Sequence, residues 1–426
     1  MSRRRAVVTA LGLLGAVTAA PPTQALNRPA PVKAHVVVAT LDTGGNPFHP
    51  TWRRAERRHP SAFIPGYPRS ARAVSLRFGT SFEKDVAASE KALERFGDNL
   101  TYVPGTNIIG AIAHPTDKVP VFDPAGSTNS HGSAASSQIA GAGLGFSPDA
   151  YVVIVDRTAD GGSEVYRSNA DLLRWAADQP WIDVIHTNIQ NPAPAAGPTT
   201  PQFPGYPEAV AYALSKGKVV VSAGGNFYGE PTETSPHAGP PGVLVAGAND
   251  NCGYTTFSNP DPHVVSDGMG TPSAVSTGYG TGSFSGTSSA SPRISGYVAE
   301  LLLRVRRAVS YTGSVSGGAL VTVPSSKRPK SGPLADGKLT SAEVHEVVRK
   351  TADPMSHASK FDGTGGADCV PQAAAGPYAK MGYGEVSEHT LGAAVDVVLG
   401  RKPLPARPQE EPFYAASEAL RAQVWS

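Results

Sequence analysis

A chain of 426 residues, 40% hydrophobic and 17% charged, has the make-up of a globular protein with a sizeable core, and not of a disordered or fibrous one. A formal net charge of +2 excludes the strongly basic surface that nucleic acid requires. The 46 glycines and 39 prolines call for many ordered turns.

At the start, Arg3, Arg4 and Arg5 precede an apolar run from Ala6 to Ala20 and small residues ending at Ala25. Basic, apolar, small is the order of a signal peptide, expected over residues 1–25. "SRRR" matches a twin-arginine signal only loosely, and the run is short for a membrane anchor. Removing residues 1–25 takes away three arginines and no acid, so the formal charge falls from +2 to −1. No later segment is long and apolar enough to span a bilayer, and the mature chain is expected to be secreted, extracellular and monomeric. The two cysteines, Cys252 and Cys369, are then expected to pair, with two separate buried thiols as the alternative.

Short continuous apolar runs follow at 35–41, 151–155, 181–185, 218–223 and 242–248. Such runs suit strands buried on both faces. Helical patterns lie between them at 131–142, 169–178 and 207–216. The alternation predicts an α/β fold with a mainly parallel sheet, whose active site gathers at the carboxyl ends of the strands. Residues 51–100, with "RRAERRH" and "FEKDVAASEKALERF", read as a surface insertion, and 308–338, rich in Ser, Gly, Lys and Pro, as an exposed loop. "TSAE" at 340–343 is a capping box opening a helix to Lys350, and the tail at 401–426 ends in a short helix. The main domain is expected over 26–400.

Amide hydrolysis needs a nucleophile, a base and donors for the developing oxyanion. In "SFSGTSSASPRISGYVAELLLRV" the candidate nucleophile is Ser288. Gly286-Thr287 makes a turn, and apolar residues from Ile294 onward recur at helical spacing, so Ser288 falls at a helix amino terminus. Pro292 is expected in the first turn. An ordinary serine cap fits the same stretch. His131 opens "HGSAASSQIAGAG", a helix of small residues; Asp42 ends the first strand before Thr43-Gly44; Asn226 ends "VVVSAGGN". Taken singly, Asp42 and Asn226 also suit turns, and His131 an ordinary surface or core residue.

Together, in the order Asp, His, Asn, Ser, the four motifs resemble those of the subtilisin-like serine peptidases, the subtilases. "TLDTGGNPFHP", "HGSAASSQIAG", "SAGGN" and "GTSSASP" carry the resemblance, with "SPDAYVVIV" and "GYGEV" beside them, over roughly residues 35–400. It implies a three-layer sandwich with a central mainly parallel sheet and, with the signal peptide, a secreted endopeptidase acting on proteins or peptides. In it Asp42 orients His131, His131 serves Ser288, and Asn226 with the Ser288 N–H holds the oxyanion. It implies no required cofactor and leaves room for structural calcium, although no Asp/Glu cluster has calcium-site spacing.

The departures are specific. Ser133 and Ser289 stand where the family has Thr and Met, and Asn188, Ile189 and Gln190 where it has Ser-Leu-Gly. That last segment is the substrate-binding edge, so Gln190 is expected to narrow the pocket. Given the long span from Asp42 to His131, the 51–100 insertion is expected to form a lid or rim near the cleft. About ten residues separate Ala25 from the first strand, too few for an inhibitory propeptide. "HEVVR" at 345–349 has Arg349 where a metallopeptidase needs its second histidine. The Ser-Glu-Asp peptidases lack the Asp-Thr-Gly and His-Gly motifs. A weakly catalytic binding protein of the same fold, or an acyl transferase using the same residues, stays open as the alternative function.

Overall fold

The computed structural model describes residues 34–79, 81–93, 99–114, 121–122, 130–156, 164–188, 205–226, 239–250, 253–255, 257–259, 261–354 and 381–424. The expected signal peptide, Ile189, Gln190, Cys252 and Cys369 lie outside the described residues.

Ten strands form the main sheet: β1 (Val37–Asp42), β2 (Arg72–Ala73), β3 (Thr101–Tyr102), β4 (Ile108–Ala113), β5 (Tyr151–Asp156), β6 (Val184–Thr187), β7 (Val219–Ala223), β8 (Leu244–Asp250), β9 (Gly253–Tyr254) and β10 (Val264–Asp267). Their order is β10-β8-β7-β6-β1-β5-β4-β3-β2, with β9 against β8. From β10 to β4 every neighbouring pair is parallel. The antiparallel pairs lie at the margins, β3 with β4 and β9 with β8. β1 is central, and the chain winds outward from it in both directions. That is where an open α/β sheet offers a crevice at its carboxyl edge.

Alternation along the strands explains the continuous apolar runs. Val36 and Val38 face one core, with Val152, Ile154, Val219 and Val221; Val37, Ala39 and Leu41 face the other, with Val153, Val155 and Val220. The helices are α1 (Phe82–Leu93), α2 (Ser130–Ala140), α3 (Glu164–Asp178), α4 (Tyr206–Ser215), α5 (Thr287–Val309), α6 (Ser341–Thr351), α7 (Glu388–Val398) and α8 (Glu411–Val424). α2, α5, α6 and α7 cover the first face, α3 and α4 the second. The fold is the expected three-layer α/β sandwich. β4, "IIGAIA", has no counterpart among the predicted runs, because Gly110 breaks its pattern. A Cβ there would lie 2.8 Å from Val153, so the glycine lets β4 lie close to β5.

Several details differ from the sequence reading. The 51–100 segment is more than a surface insertion: β2 extends the sheet through β3, and Trp52, Ile64, Tyr67 and Val74 are buried. Residues 308–338 are not simply an exposed loop. Strands β13 (Ala319–Thr322) and β14 (Lys338–Thr340) form a hairpin that buries Leu320, Val321 and Leu334, apolar residues too widely spaced among prolines and glycines to form a run. The tail is fastened to the body: the Arg407 guanidinium donates to the Ala352 and Tyr383 carbonyls, and Arg421 to that of Asp261. Pro292 is the sixth residue of α5, in its second turn rather than its first. The proline nitrogen would otherwise bond the carbonyl of Ser288, four residues earlier, so that carbonyl is released for another partner.

Candidate active site

Asp42 is the last residue of β1, with its side chain only 2% exposed. Four short contacts hold the carboxylate. Oδ1 accepts from the Thr43 N–H at 2.8 Å and faces His131 Nδ1 at 2.8 Å; Oδ2 faces the same nitrogen at 3.0 Å and accepts from Asn188 Nδ2 at 2.9 Å. A buried carboxylate is tolerated when donors satisfy it in this way. Because a carboxylate only accepts, the His131 proton lies on Nδ1, and the lone pair of the neutral ring is on Nε2. The ring is 35% exposed and meets Phe284 edge-on, with centroids 5.1 Å apart at 85°. Phe284 ends β12 (Thr281–Phe284), the second strand of a hairpin with β11 (Thr271–Ala274).

His131 is the second residue of α2. The small polar residues of that helix do more than pack. Ser133 Oγ accepts from the Asn46 N–H at 2.8 Å, and Ser137 Oγ from the Ala274 N–H at 2.9 Å. Gln138 bonds both Thr271 Oγ1 and Ser289 Oγ, which are themselves 2.5 Å apart. This buried triangle ties the histidine helix to the residue after Ser288. It also gives Ser289 a role that a methionine at that position could not fill.

Ser288 is the second residue of α5 and is 5% exposed. The turn before it needs Gly286, whose φ of 107° is closed to L side chains. Asn226, beyond β7, fixes the helix start: its Oδ1 accepts from the Thr287 N–H at 2.8 Å and from Thr287 Oγ1 at 2.9 Å. The backbone donor fixes which way the amide faces, so Nδ2 is its other end, beside Gly286. The N–H of Ser288 belongs to the first helical turn, where no intrahelical acceptor exists.

Asn188, predicted at the substrate edge, follows β6 and is 4% exposed. Its side chain is turned inward: Nδ2 bonds Asp42 and also lies 3.4 Å from the Ser288 carbonyl that Pro292 leaves open. One amide thus touches both the Asp42 carboxylate, which His131 also meets, and the backbone carbonyl of Ser288. Ile189 and Gln190, the rest of the predicted edge, are outside the described residues. The insertion reaches this region too, where Asp85 of α1 bonds Tyr279 at the hairpin tip; from the loop after β1, Asn46 donates to the Val275 and Gly278 carbonyls at 3.1 and 2.9 Å. Among the described residues no group of three or more His, Cys, Asp or Glu side chains is arranged to hold a metal ion.

Residues 33–321, more than half of the chain, match the family model described as the subtilase family. The chain belongs to the subtilase family. Two solved structures are similar to this subtilase. The prenylagaramide maturation protease PagA is 16% identical, with a TM-score of 0.46, over 84% of this chain and 94% of its own. A mutant of the protease domain of PatA is 17% identical, with a TM-score of 0.47, over 85% and 96%. A search of curated proteins found no match. Family membership gives this subtilase a peptidase-type function of the serine class. Among the described residues no helix is long and apolar enough to cross a membrane.

Proposed function

We propose that this subtilase is a secreted serine endopeptidase whose nucleophile is Ser288, with His131 as base and then acid, Asp42 as the orienting carboxylate and Asn226 as an oxyanion donor. The observation that carries the proposal is the Asp42–His131 pair. One ring nitrogen is bound to both oxygens of a buried carboxylate, and Asn188 links that carboxylate to the backbone of Ser288.

Ser288 Oγ attacks the carbonyl carbon of the scissile amide while its proton passes to His131 Nε2. The imidazolium that forms is stabilised by Asp42. The carbonyl oxygen becomes an oxyanion and takes hydrogen bonds from Asn226 Nδ2 and the Ser288 N–H. Collapse of the tetrahedral adduct breaks the C–N bond, with His131 giving its proton to the departing amine. Water then repeats the sequence on the ester and frees Ser288. Substrates are proteins or peptides, and secretion is supported by the order of residues 1–25.

The test is labelling with a fluorophosphonate probe followed by peptide mapping. Label at Ser288, lost in Ser288→Ala, is expected; folded protein that takes up no label there would sink the proposal. Labelling without peptide cleavage would point to the pocket beside Gln190, and Gln190→Gly is then expected to restore turnover. Secretion predicts a mature protein in the medium that begins just after Ala25.

A further inference from the structure

Behind Asp42 a line of hydrogen bonds runs into the core. Asn188 Nδ2 donates to Asp42 Oδ2 at 2.9 Å. Its Oδ1 is 2.6 Å from Ser291 Oγ, and Ser291 Oγ is 3.0 Å from His186 Nε2. Asn188 is 4% exposed, and Ser291 and His186 are fully buried. The direction of every bond is determined. Asp42 can only accept, so the Asn188 amide must face it with Nδ2, which leaves Oδ1 toward Ser291. A 2.6 Å contact between two oxygens requires a proton, and only the Ser291 hydroxyl has one to give. With that proton committed, Ser291 Oγ can only accept from His186, so His186 carries its proton on Nε2. The donors of His186, Ser291 and Asn188 thus run one way and reach Asp42 through Asn188 alone, on a carboxylate that also takes the His131 and Thr43 donors.

Two features of the sequence make the line. His186 and Asn188 are alternate residues at the end of β6, and Ser288 and Ser291 are three apart on α5, so one strand end and one helix turn interlock. Asn188 stands where the resemblance leads one to expect serine. An amide can accept on one side while donating on the other, and so it transmits orientation from Ser291 to Asp42.

We propose that His186, Ser291 and Asn188 are positioning residues for the reaction. Their aligned donors polarise one another and hold the Asp42 carboxylate ionised and turned so that both oxygens stay on His131. This rests on the reading of His131 and Asp42 as base and orienting carboxylate. None of the three is expected to touch substrate through this line.

The experiment has two arms on the full chain. In the first, saturation kinetics of fluorophosphonate labelling separate the maximal rate from probe affinity. Ser291→Ala and His186→Leu are expected to lower the maximal rate about tenfold, as loss of one bond in a line to a charged group implies, with affinity unchanged. Ser291→Thr and His186→Gln, which keep a hydroxyl and an N–H donor, are expected to recover most of it. A wild-type rate in Ser291→Ala, or a loss shared equally by the conservative variants, would overturn the line. In the second arm, histidine-selective 15N NMR of the unmodified protein reads the tautomer of His186. The Nε2–H form is expected, and the Nδ1–H form would overturn the assignment whether or not any variant folds. If wild-type protein takes no label but His186 is the Nε2–H form, the hydrogen-bond line stands and the proposed catalysis fails.

Discussion

The backbones of Gly132 and Gly44 pass so closely that a Cβ on Gly132 would lie 2.1 Å from the carbonyl oxygen of Gly44. Beside this contact the Gly132 N–H donates to Thr43 Oγ1 at 3.0 Å, while Thr43 N–H is bound to Asp42. The loop after Asp42 and the helix carrying His131 are therefore clamped one residue away from each of the two side chains. The short Asp42–His131 contact follows from that clamp.

Gly132→Ala is accordingly expected to push α2 from the Asp42 loop. A displacement of ~1 Å at reacting groups can cost about 10²-fold in rate. Forcing a methyl group into a closed contact costs roughly 1–3 kcal/mol of stability. Labelling kinetics and urea unfolding measure the two separately, and a variant that labels at the wild-type rate would refute the clamp.

Asn226 has two functions that substitution can separate. Its Oδ1 holds the start of α5 through Thr287, and its Nδ2 is offered to the oxyanion. Asn226→Asp keeps the acceptor and places a carboxylate at a helix amino terminus, where it is welcome. It is expected to lose about 10²–10³ in acylation rate, the cost of one oxyanion donor, while retaining its melting temperature. Asn226→Ala should lose both. Equal melting temperatures for the two variants would show that the bonds to Thr287 do not hold the helix.

The sequence made the ends of β1 and β7 legible because buried parallel strands leave unbroken apolar runs, and the residue just beyond each run marks the crevice. Asp42 and Asn226 could be picked out for that reason, and His131 and Ser288 from the starts of their helices, along with the family resemblance. Asn188 was visible as a departure but was expected at the substrate edge. Which way one amide turns depends on Asp42 and Ser291, 146 and 103 residues away in the chain, and no local pattern records that. Gln138 stays unremarked inside its helix, and Ser289 shows only as a departure, for the same reason. Pro292 stands a turn later than its local sequence implies, because the carbonyl its missing N–H leaves open is met by Asn188, a partner from another element. The hairpin of β13 and β14 was hidden by the polar composition around its few buried apolar residues.

At the opposite end of the sheet, Asp183 and Arg306 form a fully buried pair with Nη2–Oδ1 and Nη1–Oδ2 distances of 2.6 and 3.1 Å. Asp183 also accepts from the Val37 N–H, and Arg306 donates to the His35 and Leu320 carbonyls, so the pair joins β1, α5 and β13. Burial beside this pair pushes Lys218 down to about 8. Arg306→Leu leaves a buried carboxylate without its partner and is expected to cost about 3–5 kcal/mol. The double variant Arg306→Leu/Asp183→Leu should be the more stable of the two. Urea titration checks this, and a single variant that loses less than the double would show that the pair is not what the buried charge depends on.

The last prediction concerns acid. Burial lowers His263 and His345 well below the ordinary histidine range, lowers His49, and takes His35 to about 4. The geometry agrees at the clasp of α8. His263 Nδ1 accepts from the Val245 N–H, so its proton is on Nε2, given to Glu418 at 3.1 Å; His345 Nε2 donates to the same Nδ1 at 3.2 Å. A second proton on His263 would displace the Val245 bond, and one on either ring would lie near Arg349, with Arg421 beside His263 as well. Arg349 itself is stacked on Tyr414 of α8 at 3.6 Å. Below about pH 6.5 the unfolded chain binds protons that the folded chain refuses, so stability is full above that pH and declines as pH falls toward the lowered values. Each such imidazole contributes a slope of up to ~1.4 kcal/mol per pH unit. Urea midpoints measured from pH 7 to 5 should fall, and His345→Gln, which keeps an N–H for His263, should reduce the linked proton uptake by about one. An uptake unchanged in that variant would mean that His345 does not titrate on unfolding, and the clasp of α8 would then have no share in the acid sensitivity.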